Sequence, residues 1–202
     1  MKTLDPILHQ IRKEAILQRA RHMFATKGFA ETSMDDIAQA GHMQKASLYH
    51  YFSSKQQILE EMINLEGERW SAQLENYAAA LSLRESLLQI GLFFLKNFDD
   101  PARREFFQII HFESHKNPAI FKAFKDSPTY KRGVVYQVFA RHLEHKLPRV
   151  KIAIMVTQFM GALIHYATLS RLRGENMCLE KFSDAEYAEQ LADTFIRSME
   201  GE

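Results

Sequence analysis

The sequence predicts an all-α protein, with an N-terminal three-helix head joined by one long helix to a larger C-terminal helical bundle. Three observations carry that prediction. Apolar residues recur at three- and four-residue spacing along most of the chain, and no sustained two-residue alternation calls for a sheet. The five prolines and eight glycines fall mostly where these patterns stop. Ser, Thr and Asn stand at capping positions ahead of several periodic segments.

The first helix, about residues 6–27, carries the stripe Ile16, Ala20, Met23 and Phe24 and ends at Gly28. Thr32 precedes Asp35 by three residues and Ser33 precedes Asp36 by three, so either pair suits the start of a second helix with Ile37 and Ala38 facing inward. Gly41-His42 breaks that helix, and a short third one follows over about 44–52. Ser53-Ser54-Lys55-Gln56-Gln57 offers two overlapping Ser-x-x-Gln caps for a fourth helix reaching about residue 80. Further helices are expected at about 83–98, 101–115, 118–126, 128–147, 150–173 and 183–199. Their limits are set by Asp99-Asp100-Pro101, Asn117-Pro118, Ser127-Pro128, Pro148 and the stretch around Gly174. The division this implies is 1–55 for the head and 56–202 for the body, with no flexible linker between them.

At 46% apolar residues, the 202-residue chain has enough material for a sizeable core. Its net charge of +1 argues against a uniformly basic surface. The charge is unevenly spread, however: residues 1–55 hold eight Lys/Arg against five acids, and the rest hold 18 against 20. A basic head on a slightly acidic body permits nucleic-acid binding. The single cysteine, Cys178, rules out an internal disulfide and a cysteine-rich zinc site. Neither a signal-peptide pattern nor an apolar run of spanning length is evident, so the expected location is the cytoplasm, without membrane insertion.

The segment from Thr32 to Lys55 carries the chemistry. A helix-turn-helix needs a small residue where its helices touch, which Ala38 supplies, and a turn able to visit positive φ. Ile37, Met43, Leu48 and Tyr51 are spaced to close a small core. The third helix then presents Gln44, Lys45, Ser47 and His50, side chains suited to base edges in a major groove. Tyr49 and Tyr51 offer hydroxyls to phosphate. The helix N-termini near Thr32, Ser33 and Lys55 offer amide donors and a positive dipole end.

Residues 24–59 resemble the DNA-binding region of the tetracycline-repressor (TetR) family. The resemblance runs through Phe24, Gly28-Phe29, Thr32-Ser33-Met34, Asp36-Ile37-Ala38, then Lys45-Ala46-Ser47-Leu48-Tyr49-His50-Tyr51-Phe52, Lys55 and Leu59. It implies DNA contacts from Thr32, Ser33, Lys45, Ser47, Tyr49, His50 and Lys55. It also implies a dimer on a near-palindromic operator and an effector pocket in the body. One departure stands out: the family usually reads Ala-Gly-Val-Ser-Lys where this chain reads Gly41-His42-Met43-Gln44-Lys45. The turn glycine is displaced by one, leaving His42 to enter the left-handed region and Gln44 to serve as a poorer cap than serine. A slightly strained turn is expected.

In the body, the 150–173 segment is apolar on most sides, so it needs partners on two faces. Gly161, Ala162 and Ala167 would allow a close backbone approach. The last helix places Tyr187, Leu191, Phe195 and Met199 at intervals of four. These two helices are the expected homodimer interface. Aromatic residues crowd the middle of the chain, and Trp70, Phe94, Phe107, His111, Tyr136, Phe159 and His165 are the candidate lining of a pocket for a small apolar or aromatic effector. Aromatic stripes at this spacing are core packing more often than ligand boxes.

The resulting expectation is a ligand-responsive transcriptional regulator, a repressor in the first instance, binding double-stranded operator DNA. An effector-independent DNA binder is the alternative, and a helical enzyme or metal protein a more distant one. No phosphate-binding glycine loop, nucleophile elbow or Cys-His pair is present, so no catalytic residue or cofactor is assigned. His111 and His115 flanking Glu113, and His142 with His145, lack an evident third ligand, so no metal is assigned either.

Overall fold

A computed structural model of the chain describes residues 4–78, 82–172 and 182–200, and every regular element among them is helical. Cys178 and the Gly174 stretch lie outside the described residues. The chain runs α1 (Leu4–Thr26), α2 (Met34–Ala40), α3 (Lys45–Tyr51), α4 (Lys55–Ala78) and α5 (Leu83–Asp99). It continues with α6 (Pro101–Gln108), a π-helical turn (Ile109–Glu113), α7 (Ser114–Lys116), α8 (Pro118–Asp126) and α9 (Pro128–Arg132). The last elements are α10 (Val134–Leu143), α11 (Arg149–Leu172) and α12 (Asp184–Glu200). They form two compact units: residues 1–68 with 101–131, and residues 69–100 with 132–202.

The first unit is built on α1. Ile16, Leu17, Ala20 and Phe24 repeat at helical spacing and are all buried, so they form one inward stripe. They pack with Phe29, Ile37, Ala38, Leu48, Phe52, Ile58, Leu59, Met62 and Ile63 in a single core, which Phe106, Ile109, Ile110 and Ile120 extend. Polar ties cross between the helices. Arg21 donates to Glu66 (3.4 Å) and Glu105 (3.2 Å), His22 Nδ1 lies 2.6 Å from Glu105, and Lys13 pairs with Glu61. Glu66 is itself buried, so its pairing with Arg21 offsets a substantial desolvation cost.

Two of the expected helices are interrupted. The 101–115 helix contains the π-helical turn at Ile109–Glu113. The first two residues of that turn, Ile109 and Ile110, are both buried. The 128–147 helix divides at Gly133, whose φ of 54° lies in the left-handed region that only glycine enters freely.

In the second unit α12 packs mainly along α5. A Cβ on Gly91 would lie 3.1 Å from that of Ala188, so this crossing needs the small pair. α10 and α11 complete the core, where Phe139, Phe159 and Phe195 meet edge to face with centroids 5.4 to 6.4 Å apart. Arg171, near the end of α11, pairs with both Asp99 and Asp184 and so links α11 to α5 and α12. By length and composition alone the span Arg149–Arg171 would suffice to cross a membrane. Its buried residues Ile152, Phe159, Leu163 and Ala167 pack inside this unit, while Val150 (71% exposed) and Ile154 (51%) do not.

Candidate nucleic-acid interface

Between the two possible caps of α2, the backbone uses Ser33. Its Oγ accepts from the Asp36 amide (3.1 Å), and the Asp36 carboxylate accepts from the Ser33 amide (2.7 Å). Lys27 also donates to Asp36 (2.8 Å). That hydrogen bond, and then those from Ser33, hold the Asp36 carboxyl well below the usual carboxylate range. Thr32, expected to contact DNA, is buried, and its hydroxyl donates to the Gly28 carbonyl (2.7 Å). Its side chain closes the α1–α2 loop and does not face outward.

The turn has the foreseen displacement. Gly41 is right-handed (φ −82°), and His42 takes the left-handed position at φ 50°. The Gly41 amide donates to Ile37 O, that of His42 to Gln39 O and that of Met43 to Ala38 O, each at 3.0 Å. A Cβ at 41 would sit 3.3 Å from Ile37 O, Ala38 O and Met43 Cγ, a tight fit that asks these neighbours to give by a few tenths of an ångström. Arg19 reaches over from α1 to donate to Ala40 O (2.7 Å). Gln44 caps α3 with no side-chain hydrogen bond, as expected of a poor cap.

Leu48 anchors α3 in the core, and Gln44, Lys45, Tyr49 and His50 are exposed around it, with Ser47 and Tyr51 half-buried. These residues divide between two edges. Lys45, on one edge, donates to Asp35 of α2 (2.9 Å), and that bond, more than charge alone, holds its ammonium above the ordinary lysine value. Ser47, His50 and Tyr51 lie on the other edge, which faces α1, and the Tyr51 ring stacks on His9 (centroids 4.7 Å). An α-helix is narrow enough for a major groove about 12 Å wide, and these side chains supply donors and acceptors to read it.

At the start of α4 the Ser54 Oγ accepts from the Gln57 amide (3.1 Å), while Gln57 Oε1 accepts from the Ser53 amide (2.7 Å). Lys55, expected to contact DNA, also supports the α1–α2 loop. Its ammonium donates to Phe29 O (2.7 Å) and Ala30 O (3.0 Å) and lies 4.7 Å above the Phe29 ring. Partial burial pulls its pKa below the ordinary value, against the opposing pull of Glu31 and Asp36.

α1 contributes more than sequence reading assigned to it. A groove of about 710 Å³ lies between α1 and the α2–α3 turn, with His9, Arg12 and Arg19 on one wall and His42, Gln44 and His50 on the other. The only sequence signal was the helical spacing of those three basic residues.

The expected effector residues fall in both units. In the second unit Trp70 meets Phe93 and Phe94 edge to face at 5.3 and 5.5 Å, and Phe94 is buried. Phe159 is fully buried in its own ring cluster, Tyr136 is half-buried, and His165 is exposed on α11. In the first unit Phe107 stacks on His111 (5.8 Å), whose imidazole is pulled below its ordinary pKa by burial and then by His115. Among the described residues no three His, Cys, Asp or Glu side chains converge as a metal site.

Residues 16–62 match the family model of the bacterial regulatory proteins of the tetR family. Over 52 residues the chain is 42% identical to the HTH-type transcriptional repressor KstR2 of Mycolicibacterium smegmatis, covering 26% of this chain and 25% of that one. Over 51 residues it is 41% identical to IcaR, the HTH-type negative transcriptional regulator of the biofilm operon icaADBC in Staphylococcus aureus, covering 25% and 27%. These alignments span about a quarter of the relatives' length. The fold as a whole is similar to that of the transcriptional regulator FadR from Bacillus subtilis, solved in complex with stearoyl-CoA. The TM-score is 0.67 at 13% identity, over 90% of this chain and 96% of that one. Residues 16–62 are thus similar to the DNA-binding segment of the tetR family of bacterial regulatory proteins, and the chain as a whole shares the fold of FadR.

Proposed function

We propose that this protein is a cytoplasmic transcriptional repressor that binds operator DNA as a homodimer and is released by a small apolar or aromatic effector. The observation that carries the reading is the exposed polar surface of α3, held by a buried Leu48 and a fully hydrogen-bonded turn. Lys45, Ser47 and His50 read base edges together with Gln44, while Ser33, Tyr49, Tyr51 and Lys55 serve the phosphates. The head responsible is residues 1–55, and residues 56–202 serve effector binding and dimerisation. The dimer reading is supported by the uncovered face of α11, where Val150 and Ile154 stand exposed and a Cβ on Gly161 would meet nothing within 4 Å. The effector reading is supported by the aromatic content of the body and by the acyl-CoA bound to FadR. An effector acts only by binding two arrangements of the protein unequally. No enzymatic role is proposed.

A gel shift on the DNA upstream of the chain's own gene tests this. Lys45→Ala and His50→Ala should each lose sequence-selective binding while retaining the wild-type circular dichroism spectrum. Unchanged affinity and selectivity in both variants would remove α3 from the interface. Release of the bound DNA by acyl-CoA thioesters would support the effector reading, whereas full retention across apolar and aromatic ligands would favour an effector-independent DNA binder.

A further inference from the structure

We infer that the α1 wall of the groove beside α3 is a second DNA-contacting surface, which takes the phosphodiester backbone of the strand running past the recognition helix. The inference rests on the DNA-binding reading of α3 and extends it to residues outside the turn and recognition helix. None of the groove's twelve lining residues is acidic, and five are Arg or His. His9, Arg12 and Arg19 share one face of α1, because steps of three and seven residues return to the same side of a helix. Ala15 and Ile16, between them in sequence, also line the groove.

The track has a suitable length. From His9 to Arg19 the helix rises about 15 Å, several times the roughly 3.4 Å of duplex axis per phosphate of one strand. Its cations are also placed in advance. Arg19 is fixed by its bond to Ala40 O, which uses one of five guanidinium donors and leaves the others for phosphate oxygens. His9 is fixed by its stack on Tyr51. Arg12 is exposed, and no carboxylate lines the groove with it. The opposite wall carries Ser47 and His50 of α3, so a strand whose bases meet α3 passes directly into this groove.

The test is a fluorescence anisotropy titration of a labelled duplex of arbitrary sequence over a range of salt concentrations. It compares the wild type with Arg12→Ala, Arg12→Lys and Lys45→Ala, with thermal melts to verify folding. Phosphate contacts are independent of sequence, so an unselected duplex reports them. Arg12→Ala should lower affinity about eightfold per bound chain near 0.1 M salt and reduce the slope of log K against log salt by about 0.9 per chain. Arg12→Lys should restore the slope. If Arg12→Ala leaves affinity and slope unchanged while Lys45→Ala weakens binding to the duplex from upstream of the gene, this inference fails and the reading of α3 stands. If neither variant alters binding to this duplex or to the duplex from upstream of the gene, both fail. Weaker binding with an unaltered slope would assign Arg12 to fold maintenance and overturn the inference.

Discussion

Replacing His42 with glycine measures what the displaced turn costs. His42 holds φ at 50° while donating its amide to Gln39 O, so the conformation is enforced by the hydrogen bonds on either side. A left-handed residue with a Cβ costs about 1–2 kcal/mol relative to glycine. Glycine regains that strain but loses about 0.4–1 kcal/mol through the greater freedom of the unfolded chain. The side chain is exposed, so little packing is lost with it. His42→Gly should therefore stabilise the protein by about 0.5 kcal/mol, the difference between those two effects. His42→Val should destabilise it by more than about 1 kcal/mol, because a β-branched residue tolerates this region least. Urea denaturation followed by far-ultraviolet circular dichroism would measure both, provided the m-values agree. A glycine variant less stable by more than about 1 kcal/mol, with valine neutral, would show that the histidine side chain does more than tolerate the turn.

Three other outcomes are expected. Lys55→Met removes two charge-assisted hydrogen bonds to the α1–α2 loop and should cost about 2 kcal/mol by chemical denaturation, since partial exposure trims the usual value of such bonds. Asp36→Asn tests acid sensitivity. The folded-state pKa of Asp36 is depressed, so its stabilisation is complete above its unfolded value and is lost as pH falls below about 4. The variant should melt lower at neutral pH, and its Tm should fall less steeply than that of the wild type on acidification from about pH 4 to about pH 2. Equal slopes would detach Asp36 from the cap's acid response. Gly161→Trp should leave the circular dichroism spectrum intact, because a side chain there meets open space within the protomer, yet weaken self-association at least tenfold in sedimentation velocity. An unaffected dimer would move the interface off this face of α11.

The head was legible because its signals are local. The Ser33–Asp36 box, the Gly41-His42 break and the inward Leu48 are set by residues within one or two helical turns of each other, and periodicity reports such relations directly. What escaped depended on distant partners or on register. Thr32 and Ser33 have the same capping pattern, and what sets them apart is the Gly28 carbonyl that accepts the Thr32 hydroxyl. Ile109-Ile110 could be seen as an adjacent apolar pair, but a π-helical turn and an ordinary amphipathic helix share that composition. The same limit governs the aromatics. Helical spacing alone does not separate a pocket wall from a packing residue, and it is the rings of Phe139 and Phe195 against Phe159 that assign it to the core.

Thr32 and Lys55 show how a contact position and a scaffold position become confused. Three successive carbonyls, of Gly28, Phe29 and Ala30, follow the end of α1, where helical backbone acceptors have run out of partners. Thr32 satisfies the first, and Lys55 the second and third. The loop is thereby tied to the start of α2 at one side and to the start of α4 at the other, which sets the mutual placement of two helix N-termini whose free amides suit phosphate. The two residues differ in what remains. The Thr32 hydroxyl has one proton and has spent it inside the protein. An ammonium has three, so Lys55 keeps one after binding both carbonyls. Lys55 therefore keeps a proton for a phosphate while it supports the loop, whereas the Thr32 hydroxyl is used up in holding the backbone in place.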